Sequence, residues 1–517
     1  LRRRQPTVPG TVTPRLPVTP KPPSSFLSHH FTFSPNFYSL YPTPLCRWLL
    51  HSFEIPHMIL SKWLATLLGG AFAVQGALAI ELNIDDENSI KSAAKTVATT
   101  MMKYYDARES KDIPGKFDGT WWEGGSMFMT LILYWFVTGD TQFNDAVSEG
   151  MYFQKGDDNF FPSNYSQYLG NDDQVFWGLA AITAAEFNYP ERDGEPSWVS
   201  LAQGVFNTQY PRWDTSSCHG GMRWQIWPYQ DGYLTKNAIS NGGLFQLSAR
   251  LALYTGNKTY ADWAERIWDW SATTPLLKQK NWNIADTTTC GTQCTDHGDF
   301  QWTYNYATYI SGAAYMHNYT NGTETKWKEG VEGLIKTSQQ FYPTTGFNGA
   351  GGQILSDITC ESGGNCDRNQ ITFKAYFSNW LGMLTTIVPG TSELIFPQLR
   401  TSAQAAAKQC SGGDDGTYCG TRWWKQATWD GTKGLEQQMS VLGVLSANLI
   451  PYVNKAPLTS SSGGTSKSNP NAGTNTSDNK VPVLNTIGTG DRAGAGVLTV
   501  IFVSGWAIAV TWMIRGG

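Results

Sequence analysis

The 517-residue chain is poor in charge: Asp, Glu, Lys and Arg make up 15% of it, and the formal net charge is −4. That balance leaves no basic footprint and excludes a nucleic-acid partner. Methionine is scarce, with 11 against 22 Trp, and none occurs among the first 57 residues, which begin with Leu1 and are crowded with Pro, Arg and Ser. Histidine is rare as well, and no His-x3-His follows the Cys290-x3-Cys294 pair, so a zinc site of that type lacks its second half.

At the N-terminal end, Met58 and Lys62 precede an apolar run from Trp63 to Val74 and the small-residue site Ala77-Leu78-Ala79. This is the pattern of a secretory signal peptide over residues 58–79, too short to cross a membrane comfortably. Residues 1–57 are then either upstream sequence or a disordered extension, and the mature chain is expected to begin near Ile80. At the other end, residues 456–487 are mostly Ser, Gly, Thr, Asn and Pro, a composition that cannot bury enough surface to fold. Gly488-Thr489-Gly490, a polar spacer with Asp491 and Arg492, and an apolar tail from Val497 to Ile514 follow. Residues 488–517 fit a GPI-attachment signal. A transmembrane helix is the competing reading, but the single Arg515 is a poor cytoplasmic anchor. The expectation is a secreted domain over residues 80–455, held at the outer face of the plasma membrane by a flexible stalk.

Cysteine usage agrees with secretion. Leaving Cys46 aside, three close pairs suggest local disulfides at 290–294, 360–366 and 410–419, with Cys218 left over. Sequons occur at Asn164, Asn257, Asn318, Asn321 and Asn475.

Between the ends a helix-pair pattern recurs. Thr138-Gly139-Asp140 and Thr255-Gly256-Asn257 each close an apolar helix and open an amphipathic one, and Asn321-Gly322 marks a looser third turn. Amphipathic segments are predicted at about 87–106, 141–154, 197–208, 259–271, 325–340 and 397–408. Nearly all-apolar segments alternate with them at about 124–137, 173–187, 238–254, 303–318, 369–387 and 435–449. Six outer–inner pairs make an all-α fold, an (α/α)6 barrel if the ring closes and a solenoid if it does not. In a barrel, the loops entering the inner helices gather at one end. Those loops are rich in Trp, Gly, Asn and Asp.

One of them carries Asp172 and Asp173 at the start of an apolar helix, with Asn171 or Asp172 as N-cap. One Asp suffices for a cap. A second beside it adds like-charge repulsion that capping does not need, and flanking Tyr168, Phe176 and Trp177 suit a sugar-binding cleft. Further candidates for substrate contact sit on the same rim: Trp121 and Trp122 before the first inner helix, Arg223 and Trp224 after two glycines, Asn241 early in the third, and Tyr304 and Asn305 in the fourth. Each has an ordinary packing role as its alternative. Asp286, Asp296, His297 and Asp299 are too irregularly spaced for a metal site, and no cofactor is expected.

The stretches Tyr168-Leu169-Gly170-Asn171-Asp172-Asp173-Gln174, Cys218-His219-Gly220-Gly221-Met222-Arg223-Trp224-Gln225 and Lys236-Asn237-Ala238-Ile239-Ser240-Asn241-Gly242-Gly243 resemble glycoside hydrolase family 76. So do Leu247-Ser248-Ala249-Arg250-Leu251 and Phe300-Gln301-Trp302-Thr303-Tyr304-Asn305-Tyr306. The likeness covers about residues 81–452 and is narrower still to the fungal GPI-anchored mannan endo-1,6-α-mannosidase-like proteins of cell-wall biogenesis. The resemblance implies an (α/α)6 barrel and retaining chemistry on α-1,6-linked mannose, with Asp172 as nucleophile and Asp173 as acid/base. It also implies donors such as α-1,6-mannan or a GPI-core glycan, with transfer to wall β-glucan as an option beside hydrolysis. A catalytically silent glycan-binding scaffold is the alternative of a different class, and the intact Asp pair argues against it.

Overall fold

The computed structural model describes residues 79–296, 298, 300–344, 352–425, 429–474 and 489–516. The expected leader and signal peptide over residues 1–78, together with His297, Asp299 and the sequon at Asn475, lie outside the described residues.

Among the described residues twelve α-helices build the domain: α1 (Glu87–Asp106), α2 (Trp122–Thr138), α3 (Asn144–Phe153), α4 (Asn171–Glu186), α5 (Trp198–Gln209), α6 (Ala238–Thr255), α7 (Lys258–Ala272), α8 (Thr303–Tyr319), α9 (Thr325–Ser338), α10 (Arg368–Ile387), α11 (Ser392–Lys408) and α12 (Leu435–Val453). Their alternation follows the sequence pattern. In α6 every residue except Leu253 and Thr255 is buried, whereas α7 buries only the stripe that includes Tyr260, Ala264, Ile267 and Trp268. The even-numbered helices therefore form an inner ring. Each packs on the next, and α12 packs back on α2, so the ring closes into an (α/α)6 barrel and the solenoid is excluded.

The predicted turns carry the hairpins. Gly139 and Gly256 adopt left-handed conformations (φ 75° and 69°) and donate their N–H groups to the Trp135 and Ala252 carbonyls. Such a φ is strained for any residue with a Cβ. Asn257 then caps α7 by accepting from the Thr259 N–H (3.0 Å). Asp140 instead accepts from the Gln142 N–H (3.0 Å), and that local turn delays α3 to Asn144, three residues past the expected start.

Connections from inner to outer helices are short, and those from outer to inner helices are long. The long loops all lie at one end, the mouth. Two short antiparallel pairings stiffen them: β1 (Thr235–Asn237) pairs with β2 (Thr287–Thr289), joining the loops before α6 and α8, and β3 (Cys410–Gly412) pairs with β4 (Tyr418–Cys419).

That first pairing corrects the disulfides. Cys218 bonds Cys294 across 76 residues, Cys360–Cys366 and Cys410–Cys419 form as expected, and among the described residues Cys290 is the free, buried thiol. Proximity in sequence favoured 290–294. The β1–β2 ribbon instead brings the two loops together, with Gln293 Oε1 accepting from the Cys218 N–H (3.0 Å) and Cys290 turned toward Arg223 (Nη1–Sγ 3.3 Å).

The Ser/Gly-rich segment also departs from expectation. Through Thr474 it is not a free stalk but a strap laid on the barrel. The Leu458 and Ser460 N–H groups donate to the Glu186 and Tyr254 carbonyls (2.9 Å each). Asn188, Val199, Gln203 and Asn207 bond the segment further along. Its composition cannot form a core of its own, but the barrel's side-chain amides satisfy its backbone, which composition alone does not reveal. A soluble domain cut after Ala456 should therefore melt at lower temperature than one cut after Thr474. We expect a difference of about 2 kcal/mol or more, at about 1 kcal/mol net per buried hydrogen bond less the cost of ordering the segment. Paired thermal and urea denaturation checks this; equal stabilities would mean the strap contributes nothing. Beyond it, α13 (Thr489–Ile514) is long and apolar enough to cross a membrane.

Candidate active site

The site is built on the N-terminus of α4. Gly170 is the cap, in extended conformation, and it bridges to Gln225 in the loop before α6. Asn171, expected as a possible cap, is the first helical residue and a lock. Its N–H donates to the Trp224 carbonyl (2.9 Å) and its Nδ2 to the Arg223 carbonyl (2.9 Å), while its own oxygens accept from Gln209 and Arg212. The helix start is thus bolted to the neighbouring rim loop. Asp173 closes the cap by accepting from the Gly170 N–H (2.5 Å).

Asp172 lies beside it. Its Oδ1 accepts from the Asp173 N–H (3.1 Å), and its Oδ2 faces Nδ2 of Asn237 at 3.5 Å. A methyl group built on Gly170 would sit 2.4 Å from Oδ1 of Asp172 and 3.2 Å from Oδ2 of Asp173. Both oxygens lie close to one point, and their separation cannot exceed about 5.6 Å. An upper bound of that size for one oxygen of each acid is compatible with the nucleophile and acid/base of a retaining glycosidase, whose carboxyl groups stand about 5–5.5 Å apart.

Burial raises the pKa of both acids. Asp172 is pushed well above the usual carboxylate range by burial and then by the charge of Asp173. Asp173 rises to about 6 through burial, opposed by its bond from Gly170. Two such carboxyls hold a proton between them near neutrality, which supplies one acid and one base. The fold binds these protons more tightly than the unfolded chain does, so ionisation opposes folding. The penalty is complete above the folded pKa values and disappears as pH falls through about 6 toward the unfolded carboxylate value. Asp172→Asn should accordingly melt a few degrees higher than the parent at pH 7 and equal to it near pH 4. A variant that melts lower at both pH values would contradict the linkage.

The acids open into a cleft at the mouth, walled by Trp122, Phe176, Trp224, Trp302, Tyr304 and Phe373. Such apolar faces with a few polar groups suit sugar rings. Of the residues expected there, Trp122, Trp224 and Tyr304 line the cleft beside Asp172 and Asp173. Tyr304 lies flat on Phe373 (centroids 3.7 Å apart), and burial with the charges of Asp286 and Asp172 raises its pKa far above the ordinary phenol value.

The other four sit behind the wall. Trp121 is a core residue, stacked on Trp177 (5.0 Å) and donating its indole N–H to Gln154 (2.8 Å). Arg223 clamps its loop through Asp214 (2.8 Å) and the Tyr233 carbonyl (3.0 Å). Asn241 spends both ends of its amide on Met222 and the Asn237 carbonyl, fixing the Gly220–Trp224 loop to α6 rather than touching the acids. Asn305 donates to Asp286 (2.9 Å) and so acts one layer back.

Sequence reading passed over two polar groups of the cleft. Asn237 is the amide that faces Asp172, and its position as N-cap of α6 is the available signal. Asp286, weighed only as a metal ligand, lines the cleft, and burial raises its pKa against the bonds from Asn305 and Trp302. Asp296 serves separately as a staple for Thr288, Thr289 and Thr292. Among the described residues no cluster of metal-binding side chains occurs.

The barrel is shared with known proteins. A model of glycosyl hydrolase family 76 matches residues 89–461. The chain belongs to this family. It is 39% identical over 453 residues to mannan endo-1,6-alpha-mannosidase DCW1 of Saccharomyces cerevisiae, covering 87% of this chain and 98% of the relative. Mannan endo-1,6-alpha-mannosidase DFG5 of the same yeast is 37% identical, with 84% and 94% covered. Among solved structures, Dfg5 from Chaetomium thermophilum in complex with glucosamine is 40% identical with a TM-score of 0.70, over 76% of this chain and 97% of that one. The fold likeness extends to a Salegentibacter alpha-1,6-mannanase, 16% identical with a TM-score of 0.56 over 70% and 99%, solved as an inactive variant with alpha-1,6-mannotetrose.

Proposed function

We propose that this family 76 glycoside hydrolase cleaves α-1,6-linked mannose with retention of configuration. The observation that carries the reading is the pair of half-buried carboxyls, one oxygen of each within about 5.6 Å of the other, at the floor of an aromatic cleft. Asp172 attacks the anomeric carbon as Asp173 gives its proton to the departing O6, leaving a mannosyl ester on Asp172. Asp173 then takes a proton from the incoming hydroxyl, which attacks the same carbon and frees Asp172. Trp122, Trp224 and Tyr304 offer faces to the sugar rings. Asn237 and Asp286 are placed for hydroxyl groups.

The incoming hydroxyl belongs either to water or to a sugar. With an apolar C-terminal tail attaching the chain to the plasma membrane, as a helix or as the signal for a GPI anchor, we place the enzyme at the cell surface. There its donors are α-1,6-mannan and the mannose core of GPI glycans, and wall β-glucan is its acceptor. The test incubates the enzyme with α-1,6-mannotetraose or a GPI-core glycan, with and without β-glucan oligosaccharides, and follows products by mass spectrometry. Shortened donors mean hydrolysis, and donor–acceptor conjugates mean transfer. Binding without product, unchanged in Asp172→Asn and Asp173→Asn, would overturn the enzyme reading and leave a glycan-binding scaffold.

A further inference from the structure

The strap has a direction. Helix α5 climbs from the closed end of the barrel at Ser197 to the mouth at Gln209, whose side chain reaches the Asn171 carbonyl (2.6 Å). The strap follows it upward. Ser466 Oγ accepts from the Val199 N–H (2.9 Å), and the Lys467 carbonyl accepts from Ser197 Oγ (2.5 Å). Gln203 then bonds Ser468 and Asn469, and Asn207 Nδ2 bonds the Pro470 and Ala472 carbonyls (2.9 Å each). Gly473 packs so closely on Asn159 that a methyl group there would lie 2.8 Å from its Cβ. The Asn159 carbonyl in turn accepts from Gln174, three residues after Asn171. A chain that leaves α12 at the closed end is thereby returned to the rim of the cleft.

This return constrains the tail. Residues 475–488, which separate Thr474 from α13, span at most about 50 Å when fully extended. Counted from Lys455 at the closed end, an unstrapped segment would reach about 110 Å and fix no orientation.

The rim supplies an independent observation. Outside α13, the most exposed large apolar side chains among the described residues are Tyr168, Tyr229, Leu234 and Phe300, at 76%, 65%, 62% and 60%. All four lie on loops entering inner helices, at the mouth. Aromatic side chains favour the headgroup level of a membrane, where one end is apolar and the other wet.

We propose that the strap holds the barrel mouth-down on the membrane to which its tail attaches, with these four side chains seated among lipid headgroups. The cleft then takes mannose glycans displayed by lipids of that same membrane in preference to long polymers in the wall. This rests on the surface attachment given above. The full chain, bound to phosphatidylcholine vesicles containing brominated lipid, is labelled with a fluorophore at Tyr229→Cys on the rim or at Leu394→Cys at the closed end. Quenching should be several-fold stronger at position 229, and lifting the strap with Asn207→Ala plus Ala472→Glu should abolish the difference while hydrolysis of soluble α-1,6-mannotetraose is unchanged. Equal quenching at both positions, stronger quenching at 394, or an asymmetry that survives the strap variant would overturn the proposal. Loss of hydrolysis in the parent chain would instead count against the glycosidase reading, since quenching reports orientation without catalysis.

Discussion

Asn in place of Asp172 or Asp173 is expected to lower kcat/KM on α-1,6-manno-oligosaccharides by about 10⁴-fold or more, close to 5.5 kcal/mol of transition-state stabilisation. Each carboxyl has a task that its neighbour cannot take over: one forms the ester, and the other moves the proton. The two losses differ in kind. With an aryl α-mannoside whose leaving group needs no acid, Asp173→Ala still forms the mannosyl ester, and azide then replaces the water that lacks its base. The product is α-mannosyl azide. In Asp172→Ala the vacated face admits azide directly, and the product is β-mannosyl azide. The distinction matters because burial raises the pKa of both carboxyls, so the products and not the shifts assign the two roles. Exchanged products would reverse the two roles without changing the chemistry.

The second large effect comes from a residue with no side chain. Gly170 has an unstrained φ of −87°, so alanine is conformationally acceptable there. Its methyl group, however, would stand 2.4 Å from Oδ1 of Asp172 and 3.2 Å from the Trp224 carbonyl. The carbonyl is fixed by its bond from Asn171, so the carboxyl must move. A displacement on the order of 1 Å at a reacting group costs about 10²-fold in rate. Gly170→Ala should therefore keep a parent-like melting temperature and lose about 10²-fold in kcat, with KM little changed. Parent-like kinetics would show that Asp172 has room to give way.

Much of the fold was legible because burial writes itself into composition. Helices apolar all round, such as α6, belong inside, and Thr-Gly turns at 139 and 256 mark the hairpins. The acids were legible because two adjacent carboxylates at an apolar helix start exceed what a cap requires. Side-chain direction within the rim was not. Trp121 and Trp122 are neighbours in sequence, yet one is stacked in the core and the other faces the cleft, since successive residues at a helix start point about 100° apart. Asn241 and Asn237 exchange their expected importance for a different reason: they share a helix face one turn apart, and only the cap residue stands at the level of the acids. The Cys218–Cys294 bond and the strap depend on contacts between segments distant in sequence, which no local pattern encodes.

The most direct test of the account follows cleavage of α-1,6-mannotetraose by proton NMR during the first turnovers, before the product anomers equilibrate. An Asp172–Asp173 pair working through a mannosyl ester predicts α-mannose reducing ends first, with the β-anomer rising later by mutarotation, and no signal from either Asn variant. Initial release of the β-anomer, or undiminished cleavage by both variants, would contradict the account.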